Sequence, residues 1–97
     1  FIVGKRIKEI KYFESNRPKI KMVATNEEYT FRGRLDNIQE QIEMSAETFI
    51  RVGKSYYINT RYIKGYTSRE IMMTNDKIIP IGRKYMKDFR KKMSDLC

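Results

Sequence analysis

The chain has 97 residues, with 21 Lys and Arg against 12 Asp and Glu and no His, a formal charge of +9 at neutral pH. That is the length of one ordinary domain, and the charge exceeds what solubility asks of so small a chain, which points to an anionic partner. With no His, the usual general base and the commonest transition-metal ligand are both missing, so zinc sites and Ser-His or Cys-His catalysis are excluded and no enzyme activity, metal or cofactor is expected.

Thirteen Ile and seven Tyr against two Leu and two Ala favour strands over a helical bundle, and the fold class read from this is mainly β with short helices in a single domain, 1–97. Arg6 to Phe13, with Ile7, Ile10, Tyr12 and Phe13, predicts a partly buried strand of imperfect alternation. Lys19 to Thr25 alternates more cleanly, Ile20, Met22 and Ala24 on one side and Lys19, Lys21 and Val23 on the other. Asn26-Glu27 and a run from Glu28 to Arg32 complete a hairpin. From Arg34 the period changes. Leu35, Ile38 and Ile42 fall in one arc of a helix while Asp36, Glu40 and Glu43 face outward.

Phe49 to Val52 and Ser55 to Ile58 return to strand character around Gly53-Lys54, and Asn59 is placed to cap a single helical turn at Thr60 to Ile63. Lys64 to Thr67, Glu70 to Thr74 and Lys77 to Ile81 read as three more short strands. The last two turn through Asn75-Asp76, and Pro80 puts the final one at an edge or near its end. The tail is a helix with Tyr85, Met86, Phe89 and Met93 on one side and Arg83, Lys84, Lys87, Arg90 and Lys91 on another. No linker, low-complexity segment or internal repeat interrupts this order.

The single thiol, Cys97, cannot form an internal disulfide and suits a reducing cytoplasm, and no apolar run approaches the roughly 18 residues of a membrane span. Because the chain opens on Phe1 rather than Met, it is expected to be a fragment of a longer protein or a processed product. The positive charge is uneven. Segments 5–21, 49–65 and 83–97 are basic, 22–48 carries two basic and six acidic groups, and 66–82 is neutral. Three separated basic segments are what a charged surface assembled by folding requires. The two predicted helices are too far apart in sequence for a helix-turn-helix, and no strand carries the aromatic pattern of an RNA-recognition sheet. The residues alone thus describe a small β-rich domain that binds nucleic acid, with a basic protein-interaction or anionic membrane-surface module as the alternative.

Phe49-Ile50-Arg51-Val52-Gly53-Lys54-Ser55-Tyr56-Tyr57-Ile58-Asn59, followed by Tyr62-Ile63, resembles the central signature of the LytTR family of bacterial DNA-binding domains. Ile10-Lys11-Tyr12-Phe13-Glu14-Ser15 and Ile79-Pro80-Ile81-Gly82-Arg83-Lys84-Tyr85 resemble its early and late motifs in the right order, so the likeness covers about residues 5–93. The resemblance implies a mostly antiparallel β fold that serves as the output domain of response regulators in two-component systems, behind an N-terminal receiver domain. It further implies binding to double-stranded promoter DNA, with a second copy on a direct repeat and side chains from loops inserted into successive major grooves.

Carried over position by position, the loop after Glu14-Ser15 resembles the family's first DNA-contacting loop. The family's reading position there aligns with Ile20, a departure that leaves Asn16, Arg17, Lys19 and Lys21 as candidates, with Ile20 either in the core or on a thymine methyl. The signature's His is Gly53 here, which leaves Lys54 and Ser55 as phosphate contacts. Arg51 is a further candidate that could equally pair with a carboxylate. Arg83, followed by Lys84, aligns with the family's Arg at the start of the last helix, where a planar guanidinium fork can read O6 and N7 of guanine. Glu14 is expected to orient an Arg or Lys rather than do chemistry.

Overall fold

The computed structural model describes residues 7–44 and 48–96, so Phe1, Arg6 and Cys97 lie outside the described residues. A 3-10 turn, Ile7–Glu9, leads into β1 (Ile10–Asn16), β2 (Lys19–Ala24), β3 (Glu28–Arg32) and α1 (Leu35–Glu43). Then come β4 (Phe49–Arg51), β5 (Tyr56–Asn59), a 3-10 turn Thr60–Tyr62, β6 (Ile63–Tyr66), β7 (Glu70–Met73), β8 (Ile78–Pro80), a 3-10 turn Arg83–Tyr85 and α2 (Met86–Leu96). The strands form two antiparallel sheets, one of five in the order β3-β2-β1-β5-β4 and one of three in the order β6-β7-β8.

The strands β1, β2 and β5 of the larger sheet are covered on both faces, and this explains why their sequence alternates imperfectly, whereas the edge strand β3 is mostly exposed. One face packs on α1: Ile10, Phe13, Ile20, Met22, Phe49 and Tyr57 meet Leu35, Ile38 and Ile42. The other meets the smaller sheet and α2, where Tyr12, Val23 and Ile58 join Ile71, Met73, Ile79, Ile81 and Phe89. Val23, on the side its lysine neighbours share, is buried because a second layer covers it.

The first strand begins later than its sequence predicts. Ile7 to Glu9 is a 3-10 turn, and a register shift between Ile10 and Tyr12 lets Ile10 and Phe13 both face α1 while Tyr12 faces the other layer. The hairpin of β2 and β3, the α1 face and the position of Pro80 at the end of an edge strand stand as the sequence reads. Asn59 is fully buried. Its Oδ1 accepts the Arg61 N–H at 3.1 Å and its Nδ2 donates to the Ile10 carbonyl at 3.0 Å, so one side chain caps the turn and ties β5 to the start of β1. Asp76 takes the left-handed conformation, φ 69°, that closes the β7–β8 turn.

Candidate nucleic-acid interface

The loop between β4 and β5 is closed by Val52 N–H donating to the Tyr56 carbonyl at 3.1 Å, and Arg51 fills its inside. Arg51 Nε donates to the Gly53 carbonyl at 2.7 Å and Nη2 to the Lys54 carbonyl at 2.9 Å. Its Nη1 reaches across to α1, to Asp36 Oδ1 at 2.8 Å and Gln39 Oε1 at 3.0 Å. The hydrogen bond from Arg51, reinforced by its charge and by those of Arg34 and Arg17, holds the Asp36 carboxyl below its usual range.

Three backbone hydrogen bonds gather other segments around this loop. Ser15 N–H donates to the Ser55 carbonyl at 2.8 Å, Gly82 N–H to the Val52 carbonyl at 2.7 Å, and Gly33 N–H to the Pro18 carbonyl at 3.2 Å. The β1–β2 turn, the end of β3, the β4–β5 loop and the approach to α2 are therefore connected through main-chain groups, which persist whatever the side chains do. Between the first three of them lies an open cleft of about 360 Å³ whose charged lining is Arg17, Arg32, Arg34, Arg51, Lys54 and a single carboxylate, Asp36. Arg51 already neutralises Asp36, so Arg17, Arg32, Arg34 and Lys54 remain as an unbalanced cationic rim.

The expected interface residues separate into groups. Arg17, Lys54 and Arg51 share the cleft, and Ser55 adjoins it through its carbonyl. Asn16 and Lys19 are exposed and face each other across the β1–β2 turn, with Lys19 also opposite Arg32 on β3. Lys21 turns to the other face of the sheet, where its Nζ lies 3.8 Å from Glu14 Oε1. Lys77 approaches the same oxygen at 3.9 Å and the Tyr56 hydroxyl donates to Glu14 Oε2 at 3.2 Å, so Glu14 organises cations as the sequence anticipates. Arg83 and Lys84 are exposed on the 3-10 turn before α2, with Lys84 Nζ 5.5 Å from the Tyr85 ring centroid. A Cβ on Gly82 would come within 3.0 Å of the Tyr85 ring, so glycine here allows the turn to close against the loop. Ile20 is fully buried against the α1 side, which leaves it in the core and away from any base.

Arg32 and Arg34 escaped the sequence reading because they sit in the segment whose net charge is negative. The signal was local: two arginines flank Gly33 where a strand ends and a helix begins, while the acidic groups follow on the outward face of α1. The apolar side of α2 is engaged inside the domain, with Phe89 buried and edge-on to Tyr66 at 5.4 Å, and Met86 and Met93 packed on the same cluster. A membrane-surface role would need that side free. No helix among the described residues is long and apolar enough to cross a membrane, and these residues contain no group of three or more His, Cys, Asp or Glu placed to hold a metal.

No curated protein matches the chain. Among solved structures, the fold is similar to a LytTr DNA-binding domain from a Bacillus cereus protein described as a methyl-accepting/DNA response regulator. That match has a TM-score of 0.76 and 23% identity, and covers 89% of this chain and 82% of that one. The sequence matches the LytTr DNA-binding domain family over residues 2–94, nearly its full length. The three motifs, the two-sheet architecture and this match agree: the chain belongs to the LytTr family of DNA-binding domains.

Proposed function

We propose that this domain binds double-stranded promoter DNA sequence-specifically and is the output half of a cytoplasmic bacterial response regulator in a two-component system, behind a receiver domain. The observation that carries the reading is the cleft rim, where Arg17, Arg32, Arg34 and Lys54 stand together with their charge unbalanced. Such a cluster loses counterions to phosphates and supplies affinity without regard to sequence. Choice of sequence then falls to a group that can address base edges. Arg83 fits that role because it is exposed, sits on a turn anchored through Gly82 to the β4–β5 loop, and carries a fork that matches guanine. In this reading, side chains from the β1–β2 turn and from the start of the last helical segment, both tied by main-chain hydrogen bonds to the β4–β5 loop, enter successive major grooves. Asn16 and Lys19 lie on the same turn as Arg17 and extend the phosphate-contacting edge. A second copy on a direct repeat would double the footprint.

The test is selection from a random duplex library with the purified chain, followed by competition against scrambled duplex. Recovery of a repeated motif that outcompetes the scramble by roughly a thousandfold or more supports the reading. Equal binding to the scramble would leave only charge-driven association. Anionic vesicles serve as the control for the alternative of a basic module on acidic surfaces, and binding to vesicles without preference for any duplex would favour it.

A further inference from the structure

We infer that Arg51 is a positioning residue that turns the 53–55 loop into a backbone seat for one DNA phosphate, an inference that rests on the DNA-binding reading above. Arg51 pulls two consecutive carbonyls, Gly53 and Lys54, toward one guanidinium, at 2.7 and 2.9 Å. In a trans peptide the N–H points opposite to the C=O. The amides of Lys54 and Ser55, which belong to those same two peptides, therefore both point away from the guanidinium. Neither donates a hydrogen bond within the described residues, and an unpaired amide must meet water or a ligand. Two successive amides aimed the same way form an anion-binding concavity, and Lys54 adds a full charge beside it.

Gly53 fits this account. Its φ is not in the left-handed region, and a Cβ placed there would touch nothing closer than the Ser55 nitrogen at 4.0 Å, so neither backbone conformation nor crowding demands glycine. A larger side chain at position 53 would start beside the Ser55 amide. Its absence leaves that amide open to a phosphate oxygen. The other end of the guanidinium is fixed to α1 through Asp36 and Gln39, so the seat is braced against a helix rather than left to the loop.

The chemistry separates positioning from contact because Lys keeps the charge of Arg51 but lacks the fork. Binding of the full chain to its selected duplex is measured for wild type, Arg51→Lys, Arg51→Ala and Asp36→Asn, with the amide resonances of Lys54 and Ser55 followed by NMR. Arg51→Lys is expected to weaken binding about tenfold, close to Arg51→Ala, and to abolish the downfield shift of both amides that duplex induces in wild type. Asp36→Asn, which loosens only the brace, is expected to lose about two- to threefold and serves as the readout if the Arg51 variants fail to fold. Wild-type affinity in Arg51→Lys, or amides that do not move in wild type, would overturn the seat. Should wild type bind no duplex at all, the DNA reading falls by itself. Inorganic phosphate then replaces the duplex in the same NMR titration, where shifts lost in Arg51→Lys support the seat and unmoved amides in wild type overturn it.

Discussion

The two faces of the five-stranded sheet both carry cations at their margins, but they treat them oppositely. On the α1 side, Arg17, Arg32, Arg34, Arg51 and Lys54 line one cleft with a single carboxylate, and that carboxylate is held by Arg51. On the side of the smaller sheet, Lys21 and Lys77 share Glu14, and Lys64 lies 2.9 Å from Asp76. Net charge draws a chain toward any polyanion. The register of β1 on β2 separates the two faces by setting Glu14 opposite Lys21 on one while Ser15 opens onto the cleft on the other, so the cleft is where charge is left unbalanced.

Charge-matched triple variants separate the two faces by the largest effect. Replacing Arg17, Arg34 and Lys54 with Ala is expected to weaken duplex binding by on the order of a hundredfold near 0.1 M salt, while replacing Lys21, Lys64 and Lys77 changes it by less than about threefold. Fluorescence anisotropy on the selected duplex reads both. Arg83→Ala tests the division between affinity and choice: discrimination at one base pair should fall by ~1–3 kcal/mol, whereas a uniform loss on all sequences would make Arg83 a backbone contact.

Glu14→Gln probes the opposite face by releasing Lys21 and Lys77. Binding to nonspecific duplex should rise about two- to threefold at low salt and return to the wild-type value at high salt, where exposed charges are screened. The smallest effect is in pH. Because Arg51 lowers the Asp36 pKa from its ordinary 3.8, ionised Asp36 contributes stability that is present above that value and lost as pH falls through the lowered one. The difference in thermal stability between wild type and Asp36→Asn should therefore be constant at neutral pH, shrink only as pH falls below 3.8 and vanish below the lowered value. A difference that persists there would show that Asp36 acts through packing.

Local signals in the sequence carried most of the fold. The β2–β3 hairpin, the Leu35, Ile38 and Ile42 face, the Asn59 cap and the Asn75-Asp76 turn each depend on neighbours a few residues away, and each stands where its residues put it. The start of β1 did not, because a strand buried on both faces loses the alternation that marks its ends. In the candidate site, Arg17 and Lys54 were legible as cations on loops, whereas the pairing of Arg51 with the Asp36 carboxylate joins residues 15 positions apart and was open in the sequence. Arg32 and Arg34 were hidden by averaging charge over a segment. The pairing of Lys21 with Glu14 depends on strand register, which a one-residue slip would reverse.

In the proposed interface the cleft cations, and not the net charge, neutralise DNA phosphates, and salt titration of duplex binding decides it. Wild type should show log K falling against log salt with a slope of roughly −4.5 to −6, the Arg17, Arg34 and Lys54 triple variant a slope shallower by about 2.7, and the charge-matched Lys21, Lys64 and Lys77 triple variant the wild-type slope. Equal slopes for the two triple variants would contradict it.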